Sequence, residues 1–287
     1  MAPLARVSLR VDSHRSLAYD SSVPVAHFQV RVAENSPLGG DYFRLTCESD
    51  EPNPVADALP GQFVMIRADW GRDLINPRPF SVLEVHDARK FSLLLKVFGR
   101  GSARLQEAEV GEVLACTGIL GSSFPTADVG QTQLLVAGGV GLPPMLFQAE
   151  RATMAGQKVE LFYGGRSAVD LVLLERLERL GVPCTLATED GSKGVRGRVT
   201  LPFGTRLAEA KAACESVAVL TCGPTPMLRA VRKLGLDAEV PTYVSLEEQM
   251  ACGIGVCLGC AVPVHGERPY KYCCDSGPVF DAREIRW

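Results

Sequence analysis

Gln133-Leu134-Leu135-Val136-Ala137-Gly138-Gly139-Val140-Gly141-Leu142-Pro143-Pro144 joins three textures in twelve residues. The run from Gln133 to Ala137 is short and largely apolar, as expected of a strand buried on both faces of a parallel sheet. The glycines turn the chain, and a helical stretch follows to about Ala155. Proline is well tolerated in a first helical turn. The turn departs from G-x-G-x-x-G because Pro144 stands where the last glycine would be. Its helix N-terminus still offers N–H groups and a positive dipole end to an anionic group. Taken alone, the stretch suits a plain βα turn equally well.

Working outward, the alternation continues downstream. Val159 to Tyr163 reads as a strand, Leu171 to Leu180 as a helix, and Cys184 to Ala187 and Val217 to Thr221 as strands. A helix from Pro226 to about Leu234 closes a doubly wound α/β domain, placed at residues 127–240. Upstream, His27 to Val32, Tyr42 to Cys47 and Gln62 to Arg67 alternate in the manner of strands, and Phe91 to Val97 reads as another. They predict a small antiparallel β barrel over residues 23–126. Residues 1–22 are polar and weakly patterned, and read as a flexible extension. The remaining segment, 241–287, is a small cysteine-bearing domain.

Bulk properties exclude several classes. The 287 residues are 46% hydrophobic, enough for sizeable cores. With 30 basic and 33 acidic side chains the formal net charge is −3, and no basic stripe marks a nucleic-acid surface. No apolar run reaches the ~20 residues of a membrane span. Arg6, Arg10, Asp12 and Arg15 precede any long apolar stretch, so no export signal is expected and the cytoplasm is the expected setting.

The tail carries the sharpest chemistry. Cys252, Cys257 and Cys260 follow the spacing C-x4-C-x2-C, and the doublet Cys273-Cys274 lies beyond. That is the pattern of a plant-type [2Fe–2S] centre. Gly253, Gly255 and Gly259 lie between the ligands, where a tight wrapping loop needs them. Structural zinc usually pairs C-x2-C with another C-x2-C or two histidines, and only His265 lies nearby. Disulfides are disfavoured in a chain without an export signal. Either Cys273 or Cys274 can supply the fourth thiolate. Cys47, Cys116, Cys184, Cys214 and Cys222 are scattered, and most read as small buried side chains.

Three further motifs are individually weak. Arg78-Pro79-Phe80-Ser81 offers a guanidinium for a phosphate oxygen and a hydroxyl for a ring nitrogen. Lys96-Val97-Phe98-Gly99-Arg100-Gly101-Ser102 suits a phosphate-facing loop. Cys222-Gly223-Pro224 follows the last α/β strand, at the mouth of the expected crevice. An ordinary arginine, turn and buried cysteine account for each in isolation.

Their order along the chain resembles the ferredoxin–NADP reductase superfamily, in which the barrel binds a flavin and the α/β domain a nicotinamide nucleotide. The tail narrows this. Ser245-Leu246-Glu247-Glu248-Gln249-Met250-Ala251-Cys252-Gly253-Ile254-Gly255-Val256-Cys257, with Gly277-Pro278-Val279-Phe280 beyond, is similar to the electron-transfer subunit of class 1B dihydroorotate dehydrogenase. The resemblance implies FAD on Arg78, Pro79, Phe80, Ser81, Lys96, Val97, Gly101 and Ser102. It implies NAD(H) along Gly138, Gly139, Gly141, Cys222, Gly223 and Pro224, with Ser81 and Cys222 nearest the reacting atoms. It implies the cluster on Cys252, Cys257, Cys260 and Cys274, the last chosen because it precedes G-P-V-F by three residues. The closing barrel motif Gly118-Ile119-Leu120-Gly121 departs from the family's usual G-P-L-G.

The expected activity is electron transfer between NAD and the FMN of a dihydroorotate dehydrogenase catalytic subunit, in pyrimidine (UMP) biosynthesis, within a heterotetramer. Alternatives are a related reductase serving a ferredoxin, hydrogenase or sulfur-reducing partner, a redox-sensing regulatory module, and a zinc-stabilised binding module. Arg166 and Ser167 leave the choice between NAD and NADP open, although the resemblance favours NAD.

Overall fold

A computed structural model describes residues 25–71 and 74–287, so the extension expected over residues 1–22 lies outside the described residues. Strands His27–Gly39 (β1), Tyr42–Glu48 (β2), Phe63–Arg67 (β3), Arg78–Val85 (β4), Lys90–Lys96 (β5) and Val113–Leu120 (β6) close an antiparallel barrel in the order β1-β2-β5-β4-β3-β6. Alternation assigns the faces of β3. Val64 and Ile66 point into the barrel core with Phe91 and Leu93, whereas Phe63 and Met65 point outward into a separate apolar cluster. Between β5 and β6 the chain forms a short helix, Arg100–Gln106 (α1). The expected loop therefore runs only from Val97 to Gly99, and Arg100, Gly101 and Ser102 form the first turn of the helix. Phe98 N and Gly99 N donate to Ser102 Oγ, which caps the helix start.

The second unit is built on Thr132–Gly138 (β7), Lys158–Gly165 (β8), Cys184–Thr188 (β9), Val195–Arg196 (β10), Val217–Cys222 (β11) and Thr242–Ser245 (β12). Its helices are Leu142–Met154 (α2), Leu174–Leu180 (α3), Thr200–Ala212 (α4) and Thr225–Ala238 (α5). Sheet order is β10-β9-β8-β7-β11-β12, all parallel. Both faces are covered, as a parallel sheet requires. Leu135 and Ala137 pack with Leu142 and Leu146 of α2 and Leu177 of α3, while Leu134 and Val136 pack with Phe203 and Leu207 of α4 and Val231 of α5. The winding reverses between β7 and β11, which opens a crevice at their C-terminal ends.

The tail is less separate than a boundary at residue 241 implies. β12 hydrogen-bonds to β11 in the nucleotide-type sheet. After a hairpin of Ala261–Pro263 (β13) and Tyr270–Tyr272 (β14), the strand Val279–Asp281 (β15) returns and adds antiparallel to β12. The physical reason is edge coverage: β12 would otherwise expose an unpaired row of backbone groups. β15 also reaches the barrel. Ser122 Oγ donates to Val279 O, and Ser122 N donates to Gly277 O at 2.6 Å.

Candidate functional site

Barrel and α/β unit meet along β4 and α2, and a cavity of about 340 Å³ opens beside that seam. Pro79, Phe80 and Ser81 of β4 line it, with Lys96 and Phe98 from the end of β5. Val140 and Pro143 bring in the glycine turn, and residues 245–250 form the facing wall. Sequence reading missed this wall, Phe63, Phe98 and Pro278. The signal was present in the apolar and acidic stretch immediately before Cys252. Glu247 lines the cavity with its side chain exposed there, and the surrounding protein pushes its carboxyl up.

Arg78 does not face the cavity. Its Nη1 donates to Asn76 O at 2.7 Å, its guanidinium lies 5.4 Å from the Trp70 ring centroid, and a side chain at Gly101 would stand 3.0 Å from its Nε. Arg78 therefore meets the N-terminal turn of α1, where Gly101 and Ser102 lie. Val97 packs against the barrel core. Lys96 reaches across the seam, with Nζ 2.7 Å from Asp170 Oδ1. Burial raises the Asp170 carboxyl, but the hydrogen bond and charge of Lys96 outweigh it and hold the group below the ordinary aspartate value.

At the crevice, Gly138, Gly141 and Gly223 are brought together for a reason unlike the one the sequence suggested. A methyl at Gly141 would collide with the Cys222 carbonyl, and one at Gly138 would stand 2.7 Å from Met227 Sδ. The glycines first let two protein loops touch, and the open crevice floor follows from that contact. Gly139 borders Tyr42 of the barrel, and Pro224 caps α5. Cys222 is 1% exposed and does not line the cavity; burial drives its thiol far up and keeps it neutral.

The cysteines follow directly on the cavity wall in sequence. Cys260 Sγ and Cys274 Sγ are 3.3 Å apart, and Cys257 N donates to Cys252 Sγ. Gly255 N donates to Cys274 Sγ at 3.1 Å. Gly253 has φ +75° because the loop must turn there, and a side chain on it would strike Met65 of β3 at 2.7 Å. Hydrogen bonding from Gly259 N draws the Cys257 thiol down, and the proton shared between Cys260 and Cys274 draws Cys260 down and Cys274 up. Thiolates are the metal-binding form. Cys252 and Cys257 are joined through a backbone N–H on the ligand loop, and Cys260 and Cys274 through their sulfurs. The spacing C-x4-C-x2-C with a distant fourth cysteine suits a two-iron cluster better than one tetrahedral zinc. Cys273 is fully buried among apolar side chains.

Comparisons with known proteins agree with this layout. The family profile described as the iron-sulfur cluster binding domain of dihydroorotate dehydrogenase B matches residues 247–286, and that of the oxidoreductase NAD-binding domain matches 135–233. A relative named dihydroorotate dehydrogenase B (NAD(+)), electron transfer subunit, from Caldanaerobacter subterraneus subsp. tengcongensis, is 36% identical over 90% of this chain and 97% of its own length. A homolog from Aquifex aeolicus is 34% identical over 91% of this chain and 99% of its own. A solved NADH-dependent reduced ferredoxin-NADP oxidoreductase chain superposes with TM-score 0.77 at 26% identity, covering 90% of each chain. The ferredoxin reductase in carbazole 1,9a-dioxygenase gives TM-score 0.66, covering 78% of this chain and 70% of that one.

Proposed function

The chain belongs to the family of dihydroorotate dehydrogenase B electron-transfer subunits, and on that premise we propose that it carries electrons between the FMN-bearing catalytic subunit and NAD. FAD, a [2Fe–2S] cluster and NAD(H), when bound, supply hydride and single-electron chemistry that side chains cannot. The protein's part is to hold, orient and enclose.

The observation that carries this reading is one of continuity. Residues 245–250 line the same cavity as Ser81, and Cys252 follows Met250 after a single residue. A flavin-sized cavity and a cluster loop thus share one stretch of backbone. On this reading Arg78, Gly101 and Ser102 hold the FAD pyrophosphate, with Val97 behind them. Pro79, Phe80 and Ser81 would hold the flavin ring, with the Ser81 hydroxyl available to hydrogen-bond it. Lys96 closes the cavity at the seam. Gly138, Gly139, Gly141, Gly223 and Pro224 shape the nicotinamide floor, and the neutral Cys222 thiol supports it from beneath. Cys252, Cys257, Cys260 and Cys274 would hold the cluster.

Ile254, Val256 and Leu258 on the ligand loop are 39%, 74% and 53% exposed. Apolar side chains gathered around a redox centre offer the surface a partner subunit would cover. Among the described residues no helix is long and apolar enough to cross a membrane. Reduced ligand cysteines suit a cytoplasmic setting.

An anaerobic NADH titration of the reconstituted chain, followed by visible absorption and low-temperature EPR, tests the proposal. Bleaching of a flavin band together with a rhombic [2Fe–2S] signal is expected. A protein that binds neither flavin nor iron after reconstitution would overturn it.

A further inference from the structure

The nucleotide-side loop is tied to the flavin barrel through a single carboxylate. Asp170 ends the turn Ala168–Asp170 that follows β8. Its Oδ1 accepts from Lys96 Nζ at 2.7 Å and from Tyr42 Oη at 3.3 Å, both on the barrel. Its Oδ2 accepts from Arg166 N at 3.2 Å, within its own loop, and its backbone carbonyl accepts from Tyr163 Oη at 2.9 Å. The Lys96 and Asp170 side chains are only 19% and 15% exposed, so salt screens the pair weakly.

Each barrel partner also touches a site already described. Lys96 lines the cavity. A side chain at Gly139 of the glycine turn would stand 3.1 Å from Tyr42 Oη, and one at Gly40, just before β2, would stand 2.6 Å from Val169. The flavin cavity, the glycine turn and the Arg166–Asp170 loop therefore converge on one ion pair. A second tie across the seam is different in kind. Arg176 of α3 donates to Glu84 of β4 at 2.5 Å and to both oxygens of Glu150 on α2, and it contacts neither loop.

We propose that Asp170 is a positioning residue for hydride transfer, fixing the nucleotide-binding loop against the flavin barrel so that the nicotinamide arrives in register with the flavin. The inference rests on the electron-transfer reading above. Arg176 with Glu84 keeps the two units together, and Asp170 sets where the loop sits once they are together. A displacement of about 1 Å between reacting atoms is enough to lower a transfer rate up to 100-fold, so the latch acts on rate as well as on affinity.

The test compares Asp170→Asn, Asp170→Glu and Glu84→Gln in the full chain carrying FAD and cluster. Three quantities are read: the calorimetric Kd for ADP-ribose, hydrogen exchange at residues 165–172, and the limiting rate of flavin reduction by NADH. For Asp170→Asn, ADP-ribose is expected to bind about fivefold more weakly, exchange in the loop to rise, and the limiting rate to fall about tenfold. Asp170→Glu should recover part of each. Glu84→Gln should lower the thermal midpoint while leaving all three within about twofold. Unchanged values in Asp170→Asn, or equal losses in Glu84→Gln, would overturn the inference, because the carboxylate would then be only one more domain contact. Should Asp170→Asn not accumulate as folded protein, Tyr42→Phe removes the hydrogen bond to the same oxygen together with the one Tyr42 Oη accepts from Lys96 Nζ. A smaller shift in the same direction is expected there, and its absence overturns the inference equally. A wild-type chain that binds no ADP-ribose would instead remove the electron-transfer reading, so the two failures are distinguishable.

Discussion

At the scale of single residues, neighbours in sequence have opposite fates. Cys274 lies 3.3 Å from Cys260 Sγ, whereas Cys273 is sunk among apolar side chains. Cys274→Ser should therefore abolish the [2Fe–2S] EPR signal and bound iron. Cys273→Ser should keep both and cost about 1–3 kcal/mol of stability, since it places a hydroxyl in an apolar site. The cysteine doublet alone could not make this choice, because ligand geometry depends on which way each side chain leaves the strand end. Gly141→Ala should cost about 3 kcal/mol or more in chemical denaturation, because the collision is with backbone that cannot step aside. The glycines were legible in the sequence as a turn. Their partner was not, since Cys222 lies far away along the chain and only the fold brings its carbonyl to Gly141.

At the scale of elements, strong alternation and short apolar runs placed most strands of the barrel and sheet correctly. The failures have local causes. α1 was read as a loop because two glycines flank Arg100, yet Ser102 supplies the cap that lets a helix start there. Ser102→Ala should destabilise the holoprotein by about 1 kcal/mol and weaken FAD binding in fluorescence titration. α4 carries little sequence signal, because Pro202 and Gly204 obscure its pattern. Its buried stripe of Phe203, Leu207 and Ala210 keeps helical spacing all the same. β15 was invisible as a strand because three residues carry almost no periodicity. Ser122→Ala, which removes the buried hydroxyl bonded to Val279, should lower stability by about 1–2 kcal/mol with the cluster signal intact.

At the scale of the whole molecule, the ties across the seam set a pH response. Asp170 sits below its ordinary value of 3.8. A group with a depressed folded-state pKa adds stability that is complete above its unfolded value and is lost as pH falls through the folded one. The gap in thermal midpoint between wild type and Asp170→Asn should hold steady from neutrality to about pH 5 and close below that. A gap that widened on acidification would contradict the assignment. The antiparallel return of β15 beside β12 has one more consequence. Residues 246–278 leave the sheet and re-enter it next to where they left, at Ser245 and Val279. The loop's ends are therefore already pinned by backbone pairing, and most of its closure entropy is spent before any metal arrives. Cluster insertion then becomes a local maturation step on a finished scaffold. Iron-depleted protein should keep its barrel and sheet, with faster hydrogen exchange confined to that excursion.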